Sequence, residues 1–215
     1  MEINLRNDVY RRPLETALSR LGYISGWKCV DVGAGGGDVS KALAELVGEK
    51  GLVFAVDSDP VKRDATAKLA ASVNLAQVIA ITQSGEELSL PEPVDLAFCR
   101  FLLLHVSDPQ LVLKKMMENT KPGGYLLIQE PITSGGKING KSFSMPIAKH
   151  PDVGALIPKY VIDLGAELKD CWAEAPAWCG PSQISQYVKS LTGVDPENDP
   201  VVLPPLVTTI ARKVV

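Results

Sequence analysis

The stretch Cys29-Val30-Asp31-Val32-Gly33-Ala34-Gly35-Gly36-Gly37-Asp38, answered downstream by Val56-Asp57, constrains this chain more than any other part of it. An apolar run ends on an acid, turns through glycines into a helical segment, and a second apolar run ends on a second acid. That pattern reads as a strand, a tight turn, a crossover helix and a parallel strand, a unit that needs cover on both faces of its sheet. The glycines let the backbone turn sharply and let a ligand approach without meeting Cβ atoms. Asp57 follows Gly37 by 20 residues, the separation at which a carboxylate in such a unit meets ribose hydroxyls. A ligand containing a nucleoside is therefore expected.

A nicotinamide or flavin dinucleotide would require G-x-G-x-x-G. Counted from Gly33, that pattern needs glycine at position 38, where the chain has Asp38. The motif present is instead an acid followed by alternating glycines: Asp31, Gly33, Gly35 and Gly37. Asp31 ends the first strand beside the ligand's path, and Asp38 opens the next helix. Both charges would repel a pyrophosphate and attract an ammonium or sulfonium. A cationic nucleoside is favoured, and S-adenosylmethionine is the common one. The alternative of an NAD-type oxidoreductase is disfavoured by the same two acids.

Three further motifs follow in order: Pro93-Val94-Asp95-Leu96-Ala97-Phe98-Cys99-Arg100, Leu104-His105-Val106-Ser107-Asp108-Pro109, and Lys121-Pro122-Gly123-Gly124-Tyr125-Leu126-Leu127-Ile128. With the glycine loop they resemble the fourth strand, the following turn and the K-P-G-G strand entry of the class I S-adenosylmethionine-dependent methyltransferases, across about residues 27 to 130. The general pattern is similar to the group containing quinone-biosynthesis methyltransferases. The resemblance implies an α/β, Rossmann-like doubly wound sheet of seven strands, order 3-2-1-4-5-7-6 with strand 7 antiparallel. It also implies S-adenosylmethionine as cofactor and S-adenosylhomocysteine as product.

The chain's own pattern points the same way. Strands are expected near Lys28–Val32, Leu52–Val56, Gln77–Thr82, Val94–Cys99 and Tyr125–Gln129, with helices near Val39–Val47, Pro60–Val73 and Pro109–Asn119 between them. Leu14, Leu18 and Leu21 set an amphipathic helix over Tyr10–Leu21. Beyond Pro131 the Gly- and Ser-rich run reads as a mobile loop over 133–149. A helix about Val153–Leu164, a strand near Glu167–Glu174, a helix over Ser182–Leu191 and a last strand within Val201–Lys213 complete the chain. We read residues 1–215 as one domain, with 1–25 and the 133–149 loop forming a lid.

Composition narrows the partners. A formal net charge of −3 and scattered basic residues argue against nucleic acid, which is bound largely through Lys and Arg on phosphates. No apolar run reaches the roughly 18 residues of a membrane span, and the N-terminus lacks a signal peptide's apolar core, so a cytoplasmic enzyme is expected. Four cysteines and two histidines lack metal-ligand spacing, so no metal is expected. Cys29 and Cys99 read as core residues, and Cys171 and Cys179 as unreactive thiols, with thiolate chemistry as the remote alternative. Neither the N/D-P-P-Y/F tetrapeptide nor a Pro-Cys nucleophile of DNA methyltransferases is present. A small-molecule acceptor follows; its identity and the oligomeric state stay open.

For the site, the expected cofactor-binding residues are Asp31, Gly33, Gly35, Gly37, Asp57, Ser58, Ser84, Gly85, Glu86, Cys99, Arg100 and Tyr10. Asp57 accepts from both ribose hydroxyls, with Ser58 beside it. The resemblance places Asp31 near the cofactor's ammonium and Ser84 in the slot that usually contacts adenine, with Gly85 offering a backbone N–H. Glu86 is equally a helix-first-turn acid. Cys99 and Arg100 end the fourth strand, where open α/β sheets form their crevice. Arg100 lines the methionine pocket, binds an anionic acceptor, or is a surface ion pair. The resemblance brings an N-terminal segment across the opening, where Tyr10 or Arg11 touches the cofactor. Two catalytic candidates remain: Glu130, which ends the fifth strand on the substrate side as a base or as a carboxylate capping the mobile loop, and His105, a base or a structural histidine in apolar surroundings. A protein that binds the cofactor without catalysis is the other alternative.

Overall fold

The computed structural model describes residues 2–75, 77–143 and 148–214, with side chains from residue 5 onward. Two helices, α1 (Glu2–Val9) and α2 (Arg11–Arg20), lead into β1 (Lys28–Val32), α3 (Asp38–Val47), β2 (Leu52–Asp57), α4 (Pro60–Ser72), β3 (Val78–Thr82), β4 (Val94–Arg100), α5 (Pro109–Asn119) and β5 (Thr120–Pro131). Two short strands, β6 (Lys137–Ile138) and β7 (Lys141–Ser142), precede α6 (Ile157–Asp163), β8 (Ala166–Glu174), β9 (Ala177–Cys179), α7 (Gln183–Thr192), β10 (Pro200–Val202) and β11 (Leu206–Lys213).

Seven of the strands make one sheet, in the order β3-β2-β1-β4-β5-β11-β8. The first five are parallel, and β11 runs antiparallel between β5 and β8. This is the expected doubly wound order, with β11 as the seventh strand and β8 as the sixth. Its central strands are buried almost end to end, as strands covered on both faces must be. Successive residues alternate between two apolar layers: Val30 and Val32 belong to one, Cys29 to the other. Helix starts are set by side chains. Asp59 accepts from Val61 N at 2.8 Å with Pro60 in the first turn of α4, and Asp108 accepts from Leu111 N at 3.0 Å before Pro109 and α5.

Three expectations change. The helix expected over Tyr10–Leu21 is the second of a pair: α1 ends at Val9 and α2 begins at Arg11, with Tyr10 at the break (φ −104°, ψ 18°). The last strand divides at Pro204-Pro205, which cannot donate ladder hydrogen bonds. Its first part, β10, joins a second sheet of order β7-β6-β10-β9, and only Leu206–Lys213 enters the large one.

That second sheet also takes up much of the segment read as a mobile loop, which holds a 3-10 turn at Thr133–Gly135 and the β6–β7 hairpin; its residues 144–147 lie outside the described residues. Gly135-Gly136 is a packing pair rather than a hinge. A Cβ on Gly135 would stand 2.5 Å from Pro205 Cδ, and one on Gly136 2.8 Å from Phe143 Cζ. Gly135→Ala is expected to lower unfolding free energy by about 1–3 kcal/mol, the usual cost of forcing a methyl into filled space. Urea denaturation measures this, and an unchanged midpoint would return the pair to the role of a free hinge.

Candidate active site

The glycine turn after β1 is held from two sides. Gly33 N and Ala34 N donate to Val56 O at 2.8 and 3.0 Å, and Gly35 N donates to Asp57 Oδ2 at 2.8 Å. Thr66 Oγ1 of α4 donates to Gly35 O at 3.1 Å. Gly33, Gly35 and Gly37 all have positive φ, at 79°, 57° and 88°, a region L side chains enter only with strain. Beyond this shared need their roles differ. A Cβ on Gly33 would meet Leu102 Cδ1 at 2.9 Å, and one on Gly37 would meet Thr66 Cγ2 at 2.9 Å. Those two allow close packing. Around Gly35 the nearest heavy atom to such a Cβ is Gly33 O at 4.0 Å, so this residue leaves space open.

Beside the turn lies a small crevice lined by Asp31, Gly35, Asp38, Arg100 and, from α1, Arg6 and Asn7. Asn7 Nδ2 donates to Asp38 Oδ2 at 2.6 Å, so α1 is tied across the mouth of the turn. Asp31 is only 2% exposed and accepts from Ser40 Oγ at 2.6 Å. Burial pushes its carboxyl up to about 6, against the Ser40 bond, which lowers it. Arg100 is buried too. Its Nη2 donates to Tyr10 O at 2.6 Å, while its Nε has no partner. Burial, and then the neighbouring Arg6, lowers Arg100 to about 10, which leaves it charged at neutral pH. Arg6 Nε is likewise buried without a partner. The arrangement offers unspent guanidinium N–H donors to a carboxylate and buried acid to an ammonium, in one crevice with the bare glycine backbone.

Asp57 stands at the tip of β2, where Oδ2 is bonded to Gly35 N and Oδ1 accepts from Asp59 N at 3.0 Å. Each oxygen retains a further lone pair. Ser58 is exposed just beyond. Ser84 precedes a 3-10 turn, Gly85–Glu87, and its hydroxyl reaches Glu87 Oε2 at 3.4 Å. Gly85 is packed on Val112, 3.1 Å from where its Cβ would be. Glu86 Oε1 is spent on the amides of Ser107 and Asp108, at 2.9 and 3.3 Å, and so ties this turn to the start of α5.

Four site expectations need correction. Cys99 does not line the crevice: it is fully buried in the sheet core, where desolvation raises its thiol well above the usual range. Tyr10 does not line it either. Its side chain is buried between Phe101 and Tyr187, and its hydroxyl donates to Pro204 O at 2.9 Å. Arg100 is no surface ion pair. His105 is exposed, although its neighbours Leu103 and Leu104 are buried, because residues 102–107 form turns in which consecutive side chains diverge. Glu130 is fully buried at the end of β5. Its Oε1 accepts from Leu102 N and Leu103 N, both at 2.8 Å, and its Oε2 has no partner. Burial pushes its carboxyl up to about 7, against the Leu103, Leu102 and Leu104 amides, which lower it.

Arg6 and Asn7 were not singled out in the sequence. Their signal is faint: Leu5 and Val9, four apart, are the apolar pair that docks α1 on the core.

A doubly wound sheet with a glycine-rich first turn and an acid ending β2 defines a nucleoside-binding α/β protein, and the partnerless guanidinium nitrogens beside Asp31 suit a nucleoside that carries an amino acid. Residues 30–128 match the family described as a methyltransferase domain. The chain is 31% identical over 152 residues to a ubiquinone/menaquinone biosynthesis C-methyltransferase of Shewanella frigidimarina, covering 69% of this chain and 59% of that protein. It is 30% identical over 178 residues to a ubiquinone biosynthesis O-methyltransferase of Klebsiella pneumoniae, covering 78% of this chain and 68% of that protein. The fold is shared with a SAM-dependent methyltransferase structure from Aquifex aeolicus, at a TM-score of 0.66 and 19% identity over 94% of this chain and 89% of that one. The chain belongs to the class I S-adenosylmethionine-dependent methyltransferase family, and S-adenosylmethionine is its cofactor. The dinucleotide alternative falls with that finding.

The crevice residues fit that cofactor. Gly35 leaves room, Asp57 keeps free lone pairs, and the amino-acid end meets donors and acids of the right sign. An ammonium beside Asp31 favours its ionised form, so ligand binding must pull its carboxyl down from about 6. S-adenosylhomocysteine affinity is therefore expected to rise with pH from roughly 5 to 7, by at most about tenfold per unit, and to level off above. Asp31→Asn should flatten the profile. Calorimetric titration across that range measures both; a parent protein with pH-independent affinity would remove Asp31 from the ammonium.

Proposed function

We propose that this chain transfers the methyl group of S-adenosylmethionine to a small-molecule acceptor held at the carboxyl ends of β4 and β5. The observation that carries the reading is the crevice itself: bare backbone at Gly35, Asp31 beneath it, and Arg6 and Arg100 with unpartnered nitrogens, closed over by α1. In this reading Asp57 takes the ribose hydroxyls, the Ser84-Gly85 turn borders the adenine, Asp31 and Asp38 attract the ammonium, and Arg100 with Arg6 holds the carboxylate.

When bound, the cofactor supplies a methyl group already activated by its sulfonium. What remains for the protein is to align the acceptor, exclude water and, where the acceptor must lose a proton, to take it. Glu130 is placed for the last task by its burial and its free Oε2; exposed His105 is not. Cover comes from α1, which packs on α7 and lines the crevice with Arg6 and Asn7. The net charge of −3 supports a small acceptor over a nucleic acid. So do the relatives, which are named for ubiquinone and menaquinone biosynthesis. Among the described residues no helix is long and apolar enough to cross a membrane.

Two measurements test this reading. Asp57→Ala should weaken S-adenosylhomocysteine binding by about 1.5–3 kcal/mol, the scale of hydrogen bonds to a charged group. Because Asp57 also holds Gly35 N, the variant's unliganded stability is measured alongside; undiminished affinity would take the ribose away from Asp57. Hydrogen exchange should show α1 gaining protection when S-adenosylhomocysteine binds, and residues 133–143 gaining it once an acceptor is added. No change in either segment with both ligands present would mean that neither is a lid.

A further inference from the structure

Phe101 directly follows β4 and lines the crevice together with Arg6, Asp31 and Arg100; among the described residues it is the crevice's one aromatic ring. Its φ is 51°, a left-handed backbone that strains any bulky L side chain. The other non-glycine residues with positive φ among those described are Asn74, Asn139 and Glu197, all exposed. Phe101 is buried, and hydrogen bonds hold the strained backbone on both sides. Phe101 N donates to Gln129 O at 3.0 Å, and Leu102 N and Leu103 N donate to Glu130 Oε1 at 2.8 Å each. What this conformation places is the ring. Arg6 Cζ lies 4.8 Å from its centroid and Arg100 Cζ 5.2 Å, while the Tyr10 ring meets it edge to face at 5.1 Å. Two guanidiniums in one crevice repel each other, and Arg6 is the largest influence after burial in lowering Arg100. Neither takes part in a salt bridge among the described residues, and each keeps a buried Nε without a partner. The electron-rich ring is the one attractive group on which both lie.

We propose that Phe101 is a positioning residue: its ring holds Arg6 and Arg100 together as a pair that one carboxylate completes, and so sets the protein's preference for a nucleoside bearing a carboxylate over one without. The inference rests on the reading that this pair receives the cofactor's carboxylate. An anion received by both guanidiniums meets donors that have no other partner and offsets the repulsion between them. The two arginines reach the crevice from distant parts of the chain, Arg6 on α1 and Arg100 at the end of β4, and the ring is where they meet. Arg100 is also fixed by the Tyr10 carbonyl, which its Nη2 meets at 2.6 Å. Arg6 has a long, rotamer-rich stem. Without the ring it would turn away from Arg100, and returning it would draw on the ligand's binding free energy. A leucine at this position would fill part of the space but offer no such face. The strained backbone fits this role, because a relaxed conformation would aim the ring elsewhere.

The test compares two ligands on the full chain by calorimetric titration. S-adenosylhomocysteine carries the amino-acid end; methylthioadenosine keeps the adenine, ribose and thioether but lacks it. The parent should bind S-adenosylhomocysteine more tightly. Phe101→Leu should weaken S-adenosylhomocysteine at least about tenfold, the scale of a desolvated cation–π contact, and leave methylthioadenosine within about twofold of the parent. A second probe leaves the shape of the side chain nearly unchanged: phenylalanines bearing one, two and three ring fluorines, placed at position 101 alone, withdraw electrons from the ring face by steps. Affinity for S-adenosylhomocysteine should fall in the same order, by about threefold or more across the series, with methylthioadenosine unmoved. A purely structural role for the ring predicts no such trend. Should Phe101→Leu fail to fold, the fluorine series decides. A flat series, or a folded Phe101→Leu variant that loses both ligands alike, would overturn the positioning role and leave the carboxylate pair standing. A parent protein that binds methylthioadenosine as tightly as S-adenosylhomocysteine would overturn the carboxylate reading, and the proposal with it.

Discussion

Tyr10 joins the parts of this molecule that make a site. Its carbonyl takes Arg100 Nη2 at 2.6 Å, its hydroxyl donates to Pro204 O at 2.9 Å, and its ring meets Phe101 at 5.1 Å and Tyr187 at 6.3 Å, both edge to face. Those contacts connect the break between α1 and α2, the end of β4, the α7 helix and the linker between β10 and β11. Each is a modest interaction, but all converge on one buried ring, and buried polar atoms without partners are costly. Burial and the nearby Tyr187 hold its hydroxyl in the neutral form well beyond its usual range, so it acts as a hydrogen-bonding strut rather than as an acid. With Tyr10 seated, α1 is directed across the glycine turn, and Arg6 and Asn7 reach the crevice.

That seating explains how the protein tolerates so much buried charge with so few ion pairs. Arg6, Arg100, Asp31 and Glu130 are gathered near the ends of β1, β4 and β5, and none of them takes part in a salt bridge among the described residues. Hydrogen bonds to uncharged groups hold three of them: Ser40 on Asp31, the Tyr10 carbonyl on Arg100, and paired amides on Glu130. The cost appears in the raised carboxyls and the lowered Arg100. Charges paired with one another would be cheaper to bury but would have nothing left for a ligand. The surface ion pairs, such as Lys41–Glu45 and Lys159–Asp163, lie on exposed helix faces and contribute little beyond solubility.

The parts legible in the sequence were those written as local pattern. The glycine turn, the acids closing the first two apolar runs and the alternation of strands and helices are dictated by periodicity, turn chemistry and the covering of a parallel sheet, and the order of the large sheet followed from the family resemblance. Residues whose role depends on what crosses them were not legible. Cys99 and Arg100 are neighbours at the end of one strand, yet alternation sends one into the core and leaves the other at the crevice. His105 sits in an apolar run but is exposed, because the run is a turn and not a strand. Gly135-Gly136 looks like a hinge until Pro204-Pro205, some 70 residues on, is seen to fill the space beside it. Arg6 could be found only once α1 was known to exist, and α1 has a weak apolar stripe because its helicity depends on docking rather than on propensity.

One helix thus borders both the crevice and the segment that follows β4. Asn7 bonds to Asp38 beside the glycine turn, and Arg6 lines the crevice while stacking over Phe101. A cofactor cannot meet Arg6 and Asp38 together unless α1 is docked, and docking α1 is also what sets the Arg6 guanidinium over the Phe101 ring, just past the end of β4. The two halves of the site are therefore not independent: whatever free energy the cofactor contributes to holding α1 down also preorganises the acceptor side. In thermodynamic terms the two ligands share one conformational cost, and a cost paid by the first is not charged to the second. This predicts positive coupling between S-adenosylhomocysteine and acceptor that would be lost on truncating α1, because the residues that link the two sites travel on that helix alone.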